Sequence, residues 1–166
     1  MQTPTPRGVT LVEGIIFGGV IALILFSTGF AVSQARARAR DYKRLADLVR
    51  IQSSLEFYFN EYNRYPLASQ PVVLGAGDLR CLGADGFAAA CPTDARVFLN
   101  PVPRQTETGL SAGDLKSYTY QSDGDAAYVL AAVLERAIPD AQLSAGLVCA
   151  HSGEALQSAQ GGSCTL

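Results

Sequence analysis

Hydrophobic positions along this chain change period twice. From Gly14 to Val32, nineteen residues run without a formal charge, close to the ~20 that a helix needs to cross a ~30 Å hydrocarbon core. A single membrane-spanning helix is expected there. The chain continues as QARARARDYKRLADLVRIQSSLEFYFNEYNRYP with no Gly or Pro before Pro66. Leu48, Ile51, Leu55, Tyr58 or Phe59, and Tyr62 recur three and four apart, which draws one apolar stripe on a helix and leaves Arg50, Glu56 and Glu61 on its other faces. Tyr65, before Pro66, is disfavoured in the α region, and Asn63 suits a left-handed C-terminal position, so the helix is expected to stop near Asn63. From Val9 to that point it would run roughly 80 Å at 1.5 Å per residue.

Beyond Pro66 the period is that of strands. KSYTYQ (Lys116 to Gln121) alternates, with Tyr118 and Tyr120 on one face, and AAYVLAAVLE (Ala126 to Glu135) has the length of a buried strand. Between them SDGD supplies an Asp-Gly pair that favours a tight hairpin turn, and GLVCA (Gly146 to Ala150) reads as a third strand. The stripe from Leu48 to Tyr62 is the available cover for the apolar face of that sheet, so the expected class is α+β, an antiparallel sheet laid on the amphipathic half of a long helix. AGDLRC (Ala76 to Cys81) and AGDLKS (Ala112 to Ser117) are near-repeats, which turn-forming composition explains as well as duplication does.

Charge sharpens the division into two zones. Met1 to Arg50 holds seven basic residues against three acids, a net of +4, and the remainder holds six against twelve, a net of −6, which together give −2. So acidic a distal zone argues against nonspecific nucleic-acid binding by that zone. The ARARARDYKR segment is the exception. It reads either as arginines snorkelling at a lipid boundary or as an interface for acidic heads of neighbouring subunits. Five basic residues follow the span between Arg36 and Arg44 and only Arg7 precedes it, so the charge rule for membrane topology alone would place the distal zone inside. The cysteines point the other way. Cys81, Cys91, Cys149 and Cys164 all lie beyond the span, and their even number suggests two disulfides in an oxidising compartment, with three connectivities open. A zinc site is the competing use, but no C-x-x-C pair is present and His151 is the only histidine.

One residue breaks the apolar segment. Glu13 stands among RGVTLVEGIIFGG, and a charge in hydrocarbon costs roughly 2.5 to 3.5 kcal/mol at the helix centre, less near the interface, so it calls for a named partner. A secretory signal peptide has a shorter apolar core and a small-residue cleavage site, which AVSQARA imitates only weakly.

RGVTLVE, a short polar leader ending in Gly8 with an acid five residues on, resembles the class III signal of type IV pilins and type II secretion pseudopilins. DLVRIQSSLEFYFNEYNRYP, FLNPVP and SYTYQSDGDAAYVLAAVLE look like the pilin-like proteins of that family. The first 66 residues match well, the hairpin moderately and the last 30 hardly at all. The resemblance implies a pilin-like fold with residues 1–8 as leader, 9–34 as the transmembrane and polymerisation half of the helix, and 35–166 as the head. It further implies cleavage between Gly8 and Val9 by a prepilin peptidase at the cytoplasmic face, N-methylation of Val9, and an N-terminus-in topology that outweighs the charge rule. Val9 stands where the family usually has Phe, and Gly18, Gly19 and Ser27 to Gly29 stand where many pilins have a proline.

Cleavage would give Glu13 its partner. The new Val9 amine has an ordinary pKa of about 7.7 to 8 and would be mostly cationic near neutral pH. The expected product is a homo-oligomeric helical filament in which Glu13 sets the register, drawn from the inner membrane by an assembly platform and a separate ATPase. No phosphate-cradling Gly-x-x-x-x-Gly-Lys loop, H-E-x-x-H helix or nucleophile elbow occurs, so no enzymatic activity and no cofactor are expected. Asp123 and Asp125 around Gly124 are a weak calcium candidate, and a plain turn explains them equally simply. Three roles fit: a subunit of an extracellular pilus-like filament, with nucleic-acid contact only in a DNA-uptake role; the major pseudopilin of a type II secretion system, held in the envelope; or a monomeric membrane-anchored binding module that needs no cleavage.

Overall fold

A computed structural model describes residues 11–105, 117–159 and 161–166. The cleavage residues Gly8 and Val9, and most of the second near-repeat, Ala112 to Lys116, lie outside the described residues. The chain divides into two units, residues 1–36 and 37–166. One helix, α1 (Leu11–Tyr62), contributes to both.

In the second unit α1 ends as its sequence dictates. Asn63 takes the left-handed conformation (φ 52°) and its N–H donates to Phe59 O at 2.7 Å, closing the last turn before the extended Tyr65–Pro66. An antiparallel five-stranded sheet follows, in the order β1 (Ala68–Val73), β5 (Thr119–Ser122), β6 (Tyr128–Leu134), β7 (Gly146–His151), β8 (Gln157–Ser158). A second sheet of three short strands, β2 (Cys81–Gly83), β3 (Gly86–Ala88) and β4 (Val97–Leu99), has the order β3-β2-β4. The class is α+β, with a long apolar N-terminal helix and small antiparallel sheets.

The helical stripe is where the core forms. Leu48, Ile51, Leu55 and Tyr58 are buried, and they pack in one cluster with Tyr120, Tyr128 and Leu130 of the large sheet and with Tyr118 just before β5. Complete burial of a Leu or Ile contributes about 1.5 to 3 kcal/mol, so this seam is the main attachment of helix to sheet. Phe59 and Tyr62 are half-buried at its margin.

The β5–β6 connection is longer than the tight turn its Asp-Gly pair suggests. Ser122 pairs with Tyr128, leaving Asp123–Ala127 as the loop. Asp123 Oδ1 accepts from Asp125 N at 2.8 Å and Ala127 N at 3.3 Å, while Gly124 takes a φ of 86° that a side chain would resist. The turn is wound around a carboxylate rather than closed by two residues. Strand β1 sits at the sheet edge, where Pro71 costs no ladder hydrogen bond, and its pairing with β5 is irregular between Ala68 and Val72.

Candidate assembly helix and candidate head sites

In the first unit the apolar part of α1 is open all round. Leu11, Leu23, Leu25 and Phe26 are 79%, 69%, 67% and 78% exposed, and none of the most apolar window is buried within the chain. A soluble chain rarely leaves so large an apolar surface bare, and by length and composition this helix can cross a membrane. Its polar side chains fit such a setting. Ser27 and Thr28 donate to Ile24 O at 3.0 and 2.9 Å, and Ser33 donates to Phe30 O at 2.8 Å, so their hydroxyls are satisfied by the helix itself. Glu13 is exposed in the first described turn. A Cβ added at Gly14, Gly18, Gly19 or Gly29 would meet nothing within 4 Å, so packing inside the chain does not require these glycines. The helix runs unbroken through Gly18, Gly19 and Ser27 to Gly29.

In the second unit the ARARARDYKR segment divides. Arg36, in the first unit, and Arg38 are exposed, whereas Arg40 and Arg44 are held by the head's own carboxylates, so neither the snorkelling nor the intersubunit reading applies to those two. Arg40 donates to Glu135 through Nε at 2.9 Å and Nη2 at 2.5 Å, and Arg44 donates to Glu135 at 2.7 Å and Asp41 at 2.6 Å. Asp41 also accepts from the backbone N–H groups of Glu135 and Arg136, at 2.9 and 3.0 Å. Asp41 and Arg44 are buried, at 1% and 2% exposed. This network pins α1 to the end of β6.

The hydrogen bond from Arg40, with Arg44 beside it, outweighs burial and holds the Glu135 carboxyl down to about 2 from its ordinary value near 4.5. A depressed folded-state pKa contributes stability that is complete above the unfolded value and disappears as pH falls through the folded one. The head should therefore lose on the order of 2–3 kcal/mol from this group between about pH 4.5 and pH 2. Acid titration of unfolding should show a flatter acid limb for Glu135→Gln than for wild type, and superimposable acid limbs would contradict the assignment.

Two further helix carboxylates face inward. Asp47 accepts from Tyr118 OH at 2.8 Å, and Glu56 accepts from Tyr65 OH at 2.9 Å and Tyr128 OH at 3.1 Å. Spacing placed Glu56 off the stripe; the tyrosine hydroxyls of an aromatic core reach it because they need an acceptor when buried. Burial, reinforced by Glu56, pushes the Tyr65 and Tyr128 phenols above their ordinary range.

The four cysteines are joined as Cys81–Cys91 and Cys149–Cys164. Cys149 is therefore no thiol nucleophile beside His151, whose Nε2 lies 3.1 Å from Thr165 O. Asp123 is engaged with its own loop's backbone, and Asp125 is exposed beside it. Among the described residues no group of three His, Cys, Asp or Glu side chains is placed to hold a metal ion. Comparison with family models, with curated proteins and with solved structures finds no match to this chain.

Proposed function

We propose that this chain is the structural subunit of a type IV pilus-like filament with a pilin-like fold. It is made as a membrane-anchored prepilin, cut after Gly8 and polymerised through its N-terminal helix, and it has no catalytic role. One observation carries the reading: a helix whose apolar surface is bare on every side holds a single acid, Glu13, four residues beyond the point where the leader resembles a cleavage site. In a membrane, lipid covers that surface; in a filament, neighbouring copies of the same helix do. Cleavage would offer Glu13 of one subunit the Val9 amine of the next as a cationic partner, which would couple cleavage to assembly. Burying the Ile15 to Phe26 surface supplies most of the association energy, and the ion pair sets the axial register.

In this account the head lies outside the cytoplasm, where its disulfides persist. A prepilin peptidase, an inner-membrane assembly platform and an assembly ATPase supply the steps that the chain does not perform. The test is co-expression with a prepilin peptidase. Wild type should lose residues 1–8 and Gly8→Glu should stay full length, both read by intact mass, whereas a wild-type chain that keeps its leader would overturn the proposal.

A further inference from the structure

Residues 37–166 hold fourteen acids against eleven bases, and one cleft of this unit is lined by four cations. Lys43 and Arg50 of α1 line an open cleft of about 480 Å³ together with Arg80 and Arg104. The single carboxylate of the lining, Asp47, accepts the Tyr118 hydroxyl. Arg50, Arg80 and Arg104 are exposed and make no ion pair among the described residues, in contrast to Arg40, Arg44 and Arg96, which bond to Glu135, Asp41 and Glu61.

The chain's own covalent and hydrogen-bonded frame brings these charges together. Gly75 has a φ of 76°, and a Cβ there would collide with the Arg104 side chain and lie 2.7 Å from Pro103 O, so only glycine lets the 103–104 backbone come this close. Val102 N donates to Arg80 O at 2.7 Å, which ties Arg80 to the segment that carries Arg104. Gln105, with its amide oxygen toward Arg44, accepts from Arg44 Nε at 2.8 Å and so fastens this segment to α1. Collecting like charges in a cleft is unfavourable until an anion enters, and a concave low-dielectric wall strengthens the resulting field.

We infer that this cleft is a binding site for a soluble small molecule carrying two or more phosphate groups. Arginine forks match phosphate oxygens in pairs, and the three exposed arginines supply more charge than a single phosphate neutralises. The spacing also sets the size. Lys43 and Arg50 are two helical turns apart, roughly 10 Å along the axis, a span that fits two or three phosphates in series. No aromatic side chain lines the cleft to stack a nucleobase, which favours a phosphorylated small molecule over single-stranded nucleic acid. This site is independent of filament assembly.

The experiment uses the full-length chain in neutral detergent at low ionic strength, titrated calorimetrically with tripolyphosphate. Saturable binding is expected, weakened at least about tenfold in Arg80→Gln/Arg104→Gln and also weakened in Arg50→Gln, while Arg38→Gln, an exposed arginine outside the cleft, binds as wild type. Circular dichroism checks that each variant is folded, and the separate Arg50 variant, on α1, keeps the test decisive if the double variant is not. The inference is overturned by absence of saturable binding, by equal weakening in Arg38→Gln, or by duplex DNA that binds the cleft and is not displaced by tripolyphosphate.

Discussion

Asp41→Ala is expected to destabilise the head by about 3–5 kcal/mol, the cost of breaking a buried ion pair by removing one partner. The Asp41 carboxylate accepts three hydrogen bonds, one from the Arg44 guanidinium and two from the backbone N–H groups at the end of β6. Its removal leaves Arg44, 2% exposed, with Glu135 as its one remaining carboxylate, and strips both N–H groups of their acceptor. Asp41→Asn keeps an acceptor oxygen and removes the charge, so it should fall between wild type and Ala. Denaturant unfolding of the full chain with disulfides intact measures both. A loss below about 1 kcal/mol for Asp41→Ala would mean that the network adds little to the apolar seam in holding the helix to the sheet.

Glu13→Ala should act in opposite directions on two steps. Removing a carboxylate from an apolar helix lowers the cost of membrane insertion, by up to roughly 2.5–3.5 kcal/mol at the bilayer centre and less near the interface. Prepilin should therefore accumulate in the membrane at wild-type level or above. Assembly should suffer, because the incoming Val9 amine would then be buried without its counter-charge, and an unpaired buried charge costs several kcal/mol. In cells expressing both forms, Glu13→Ala subunits should be depleted from filaments at least about tenfold relative to their share of the membrane pool. Equal incorporation would remove Glu13 from the register mechanism, and a membrane pool reduced in parallel would show an insertion defect instead.

The parts of the fold that were legible in the sequence are those written in a strong local period. The nineteen uncharged residues, the Leu48 to Tyr62 stripe and the Asn63–Pro66 stop all describe α1, and the alternation around Tyr118 and Tyr120 and the run through Tyr128 to Leu134 mark the central hairpin. Strands β2, β3 and β4 span three residues each, too short to show an alternation, and β1 carries a proline that lowers its strand signal. The ion-pair network was hidden for another reason. Asp41 and Glu135 are 94 residues apart, and nothing local distinguishes Arg40 and Arg44, which they hold, from the exposed Arg36 and Arg38. One cue was available: an acid that follows three alternating arginines, two helical turns before the apolar stripe begins at Leu48, is a candidate for inward pairing. The cationic cleft was similarly illegible, since Lys43 and Arg50 of α1 are brought together with Arg80 and Arg104 by tertiary contacts far apart in the chain.

The filament account stands on what happens to the first eight residues, and the decisive measurement is the intact mass of this chain in material sheared from the cell surface. The account predicts a chain there that lacks residues 1–8, with or without one added methyl group, and with four cysteines oxidised. Finding it only in membranes contradicts an extracellular filament: a cleaved membrane form would fit an envelope pseudopilus, and a chain that retains its leader would fit a monomeric anchored module.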